Sequence, residues 1–190
     1  LTLVSPVPYI YSVPKEGIWG NSRFASGELK ESSDMGDFVL GVGNILLRDE
    51  GIGCHVVQAL EKIPLPNIKV VDGGTCSDAV QLLEDVDKLI VVDAVKGGGI
   101  PGQVYRFHLE DIALEEKPFL SLHDISLVDS LLLMRRLYNI GKITIIGIEP
   151  KEIEWGLELS PELQEKLPRI VEIILAEFDN SGGPQGETKC

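Results

Sequence analysis

Positive charge is scarce in this chain: 17 lysines and arginines stand against 30 aspartates and glutamates, a formal net charge of -13. It has no basic stripe able to replace the counterions of a polyanion, which counts against a nucleic-acid partner. No run of about 18 apolar residues is available to span a membrane. The three cysteines, Cys54, Cys76 and Cys190, make no metal-ligand spacing, and their odd number argues against a disulfide framework. A reducing cytoplasm is therefore the expected location. The start of the chain lacks the basic region, unbroken apolar run and small-residue cleavage site of an export signal. Three common hydrolase signatures are missing as well. There is no His-Glu-x-x-His helix to hold zinc, no Gly-x-Ser-x-Gly elbow, and no cysteine paired with a histidine in a recognisable nucleophile setting.

What is present fits one globular domain with a real core: 190 residues, 44% hydrophobic and 25% charged. Residues 1–34, with Pro6, Pro8 and Pro14 and then a polar stretch, read as an extension of unknown role. The turn-rich 180–190 reads as a flexible tail. Between them, 35–179 alternates apolar runs with helical patterns, which predicts an α/β fold of three layers. A twisted five-stranded, mostly parallel sheet lies between helices. Strands are expected at Phe38–Val42, Ile68–Val71, Leu89–Val92, Gln103–Leu109 and Lys142–Ile148. The link before the fourth is too short for a helical crossover, so that strand should run antiparallel. Helices are expected from Gly51 to about Lys62, through Val80, Leu83 and Val86, from Ser126 to about Tyr138, and from Ser160 through Phe178. The last has Ser160 as N-cap and a kink or break at Pro168.

The stretch from Leu40 to Gly53 carries the most chemistry. An apolar strand enters a glycine turn that delivers Asp49 and Glu50 to a helix start. A dinucleotide fingerprint would place a third glycine three positions after Gly43, where Leu46 stands. Adjacent carboxylates would also repel a diphosphate at that helix mouth, so a cation is the better guest. In open parallel sheets ligands sit beyond the carboxyl ends of strands where the winding reverses. Glu50 follows strand one and Asp93 ends strand three, so both are expected to open into one crevice. His123, in the loop before the next helix, can swing over it. One imidazole and two carboxylates suit a divalent ion such as nickel or zinc.

Taken singly, each residue has a structural reading. Asp49 and Glu50 can offset a helix dipole, Asp93 can bond loop amides, and His123 can be a packed or solvent-facing residue. Asp72-Gly73-Gly74-Thr75 reads as a turn supporting the crevice. Cys54, His55 and Cys76 read as structural.

Five blocks together, Gly41-Val-Gly-Asn-Ile-Leu-Leu-Arg-Asp-Glu50, Asp72-Gly-Gly-Thr75, Val92-Asp-Ala94, Ser121-Leu-His-Asp124 and Gly156-Leu-Glu-Leu-Ser-Pro161, resemble the nickel-iron hydrogenase maturation endopeptidases. The resemblance runs in order from Met35 to about Phe178. It implies a protease that recognises nickel in the precursor of a hydrogenase large subunit and removes its C-terminal extension. By motif position, it implies Glu50, Asp93 and His123 as nickel ligands. The nickel would be supplied by the substrate, and no tightly bound cofactor is expected. Asp49, Asp72, Gly73 and Gly74 are possible supporting residues, Asp49 by orienting Glu50 or a water. The partner is the precursor itself, met by a single copy of this chain. Two other readings stand beside this one: a nucleotide-binding α/β domain with Asp72 as its ribose acid, and a non-catalytic chaperone that checks nickel loading.

Overall fold

The computed structural model describes residues 36–75, 86–109 and 122–179, with backbone alone for 122–126. The described strands are β1 (Gly36–Val42), β2 (Ile68–Gly74), β3 (Val86–Ala94), β4 (Val104–His108) and β5 (Ile140–Ile148). The helices are α1 (Ile52–Leu60), α2 (Leu122–Leu137) and α3 (Pro161–Asp179), and a 3-10 turn at Arg48–Gly51 leads into α1.

These strands form one sheet in the order β2-β1-β3-β5-β4. All pairs are parallel except β4 with β5. The mostly parallel α/β fold with one reversed strand is therefore as expected. The short link after β3 does reverse the chain, but β4 takes the sheet edge and β5 fills the place beside β3.

Two cores flank the sheet. Phe38, Leu40, Leu89, Val91, Ile143 and Ile145 pack with Leu127, Val128, Leu131 and Met134 of α2. Val39, Ile90, Val92, Ile146 and Ile148 face the other way, onto Ile52, Val56 and Leu60 of α1 and Leu163, Ile170, Val171 and Ile174 of α3. The two-residue alternation sends neighbours to opposite faces, and both faces are covered, so the central strands read as unbroken apolar runs.

Several boundaries differ from expectation. Asp72, Gly73 and Gly74 do not leave the sheet as a turn. They extend β2, with a register irregularity opposite Gly41 and Val42. The helix expected through Val80 and Leu83 lies outside the described residues, while Val86 opens β3 because its side chain is fully buried in the α2-side core. Helix α2 begins at Leu122, so His123 sits in its first turn rather than in a loop before it. Helix α3 runs unbroken through Pro168. That proline is exposed, so the carbonyl it leaves without an amide faces water.

Candidate functional site

The chain passes from β1 to β2 on one side and then to β3 on the other, so the winding reverses between β1 and β3. A crevice is expected beyond the carboxyl ends at such a point. Two glycines make the approach possible. Gly43 has φ +139°, and a Cβ there would stand 1.9 Å from the Glu50 carbonyl oxygen. At Gly53 a Cβ would meet the Val42 and Val92 carbonyl oxygens at 2.2 and 2.5 Å. Close helix-to-strand packing, the task of the missing third glycine, thus falls to Gly53, and Leu46 is left 47% exposed. The 3-10 turn carrying Glu50 consequently packs against β3, whose end bears Asp93.

The two adjacent acids have opposite surroundings. Glu50 is half-buried, whereas Asp49 is completely buried. Asp49 Oδ2 accepts the amides of Lys151 and Glu152 at 2.9 and 2.8 Å, and Oδ1 accepts that of Ser160 at 2.7 Å. Both oxygens are thus committed to the loop between β5 and α3 rather than to orienting Glu50. Ser160 was expected to cap α3 with its hydroxyl, but its Oγ is buried with no hydrogen-bond partner. It meets Asp49 through its amide, and its carbonyl accepts the Gln164 amide at 2.9 Å. The turn itself is strained: Arg48 adopts φ +49°, rare for a residue with a Cβ. Its amide donates to the Gly156 carbonyl at 2.9 Å, and its guanidinium pairs with Glu152 and, at 3.5 Å, with Glu154. Those contacts hold the strained conformation.

Asp93 is 8% exposed, and its Oδ1 accepts the Ala94 amide at 2.8 Å. Alternation along β3 puts it on the side of Leu89 and Val91, the face that α2 covers. His123 lies in the first turn of that same helix, and its side chain is outside the described residues. Among the described residues no three His, Cys, Asp or Glu side chains cluster so as to hold a metal. Glu50 and Asp93 are carboxylates that the fold brings to the switch point, one on the turn before α1 and the other at the end of β3. Carboxylate and imidazole oxygens and nitrogens are donors that nickel accepts.

Asp72 is exposed and accepts the Gly74 amide at 2.9 Å, a local bond at the end of β2, where Gly74 has φ +53°. Gly73 is buried beside it without a positive φ. Cys54 lies under this edge and is buried, its thiol donating to the Gly43 carbonyl at 3.5 Å. Burial, then a hydrogen bond with Asp72, pushes the thiol up to about 12, so it stays protonated and is no nucleophile. Burial also lowers the His55 imidazole, whose Nε2 has no partner. It is a neutral packed histidine.

Another buried carboxylate, Glu149, escaped the sequence reading. Glu149 Oε2 accepts the amides of Gly97 and Gly99 at 2.8 and 3.1 Å and the Tyr105 hydroxyl at 2.5 Å. Burial and this bond push the phenol up to about 12. An acid directly after a long apolar strand was the available signal. Its partners, about fifty residues upstream, were not visible in any local pattern.

A sequence profile of hydrogenase maturation proteases matches residues 54–177. The chain is 35% identical over 151 residues to the hydrogenase 2 maturation protease of Escherichia coli strain K12, covering 76% of this chain and 91% of that one. It is 34% identical over 152 residues to the hydrogenase expression/formation protein HupD of Thiocapsa roseopersicina, covering 75% and 67%. Among solved structures, the hydrogenase maturating endopeptidase HybD from E. coli is similar with a TM-score of 0.68 at 33% identity, covering 78% of this chain and 94% of that one. The NiFe hydrogenase maturation protease HybD from Thermococcus kodakarensis gives 0.63 at 27% identity, covering 75% and 99%. No helix of the described residues is long and apolar enough to cross a membrane. The nucleotide-binding and non-catalytic readings give way to these relatives, of which the E. coli and Thermococcus kodakarensis proteins are named as proteases or endopeptidases. With more than half its length matched by the profile, the chain belongs to the hydrogenase maturation protease family.

Proposed function

We propose that this protein removes the C-terminal extension of a nickel-iron hydrogenase large-subunit precursor, and that it recognises the precursor by nickel already bound there. Glu50, Asp93 and His123 are the ligands. The observation that supports this most directly is the pair of carboxylates at the β1/β3 switch point. The turn bearing Glu50 packs on the strand that ends in Asp93, and the helix bearing His123 covers Asp93's face of the sheet.

Three protein donors leave coordination positions for groups that the substrate brings with its metal. Nickel is then part of the substrate, and the protein needs no cofactor of its own. Holding that ion fixes the adjoining peptide against the crevice, turning an encounter between two proteins into a reaction within one complex. A divalent ion at a scissile carbonyl also supplies Lewis-acid polarisation. Asp49 serves the site by holding the 151–160 loop beside Glu50.

The test is cleavage of purified precursor with and without nickel, read by the mass of the large subunit. The expected result is cleavage of the nickel-loaded form alone. Equal rates for both forms would remove nickel recognition from the account.

A further inference from the structure

Resting on that reading, one surface next to the crevice has no use within the fold. Trp155 is 80% exposed and Leu157 63%, with Ile153 and Leu46 also open to solvent. Single exposed apolar residues are ordinary, but four of them on two joined loops are not. The Gly156 amide donates to the Leu46 carbonyl at 3.0 Å, and Leu47 and Gly156 form an isolated parallel bridge. Trp155 and Leu157, which flank Gly156, therefore stand beside Leu46, four residues before Glu50 in the chain. The buried Asp49 carboxylate pins the loop at residues 151, 152 and 160, so this patch is held in shape before any partner arrives. Pre-ordering of that kind lowers the entropy lost on binding.

The charge around the patch identifies what covers it. Glu50, Glu152, Glu154 and Glu158 stand within a few residues of it along the same two loops. The two cations present, Arg48 and Lys151, are already paired with Glu152, Glu154 and Glu162. A second copy of a chain carrying a net charge of -13 would bring like charge to this rim. We propose that Leu46, Ile153, Trp155 and Leu157 dock a basic, apolar stretch of the hydrogenase precursor outside the cleaved segment. Trp155 is the anchor, as exposed tryptophans at interfaces commonly are.

The test is steady-state cleavage of the nickel-loaded precursor from the same organism by wild type and by the double variant Trp155→Ser/Leu157→Ser. Both side chains are exposed, so the fold is kept, which circular dichroism checks. KM is expected to rise at least about tenfold with kcat within about twofold, because docking and not chemistry is lost. A second variant, Glu154→Lys/Glu158→Lys, is expected to raise KM in a salt-sensitive way. An unchanged KM in the first variant, with wild type cleaving, overturns the docking surface and leaves the proposed function intact. Failure of wild type to cleave the loaded precursor overturns both. A wild-type dimer in sedimentation equilibrium that the first variant dissociates would assign the patch to a second copy and overturn the inference.

Discussion

In the last turn of α3 the buried acid, Glu177, is met by a guanidinium, whereas at the carboxyl ends of the strands the buried acids Asp49 and Glu149 are met mainly by backbone amides. In the first region Arg106 grips Glu177 through two hydrogen bonds of 2.7 and 3.0 Å. Lys88, though buried, donates to the Glu177 carbonyl and lies over the Phe178 ring. In the second, Asp49 and Glu149 take five backbone amides and a phenol between them. Amides satisfy a carboxylate without cancelling its charge. An ion-pair cluster locks two elements and leaves little field, while an amide-held acid locks a loop and leaves the crevice negative. A negative crevice draws a cation.

Substitutions can test that contrast directly. The largest effect is expected at the crevice: Glu50→Gln, Asp93→Asn and His123→Ala should each lower precursor cleavage by at least about a hundredfold. The thermal midpoint of Glu50→Gln is expected to stay near wild type, because that side chain is only half-buried. Normal processing by two of the three would end the site assignment.

Next comes Asp49→Ala, which removes the acceptor of three loop amides and should cost about 3–5 kcal/mol in a urea titration. Cleavage should fall with it, since the loop beside Glu50 is released. A stable Asp49→Ala would show that the loop holds itself.

Arg106→Met is the control from the other region. Glu177 would be left buried with its ion pair gone, a loss of about 2–3 kcal/mol given that Arg106 is partly exposed. Its kcat and KM should not move. If they do, the two regions are coupled and the contrast fails.

The smallest effect is a pH dependence at Asp37. Burial, outweighing nearby Lys88, holds this carboxyl above its ordinary 3.8. The folded protein then keeps the proton to higher pH than the unfolded chain does, so stability falls as pH rises from 3.8 through the folded value. Asp37→Asn is expected to be slightly more stable than wild type at neutral pH. The gap should close as the pH is lowered toward 3.8, followed by thermal unfolding across that range.

Much of the architecture could be read from the chain. Continuous runs such as Leu89–Val92 announce a strand covered on both faces, and the short glycine link before Gln103 announces a reversal. Asp93 was legible as an acid at the carboxyl end of a strand, and Glu50 as an acid on the glycine turn that follows β1. Less could be read where two rules compete at a boundary. The Asp72-Gly73-Gly74 turn signal lost to sheet pairing with β1, because Val42 offered Gly74 a partner across an irregular register. A proline within α3 lost to a water-facing position. Ser160 looked like a cap and was instead drawn in by its amide, since a buried carboxylate binds an amide more strongly than an amide binds a hydroxyl.

By itself the sequence determined which segments alternate, which glycines permit close approach and which acids follow strands, because these depend on neighbours within a few residues. Only the tertiary structure decided that Asp49 and Glu50, side by side in the chain, part company. One closes on amides 102, 103 and 111 residues away, and the other stays at the rim. The physical reason is that a carboxylate's partner is whatever donor the fold brings within 3 Å, and over such separations no local pattern specifies the donor.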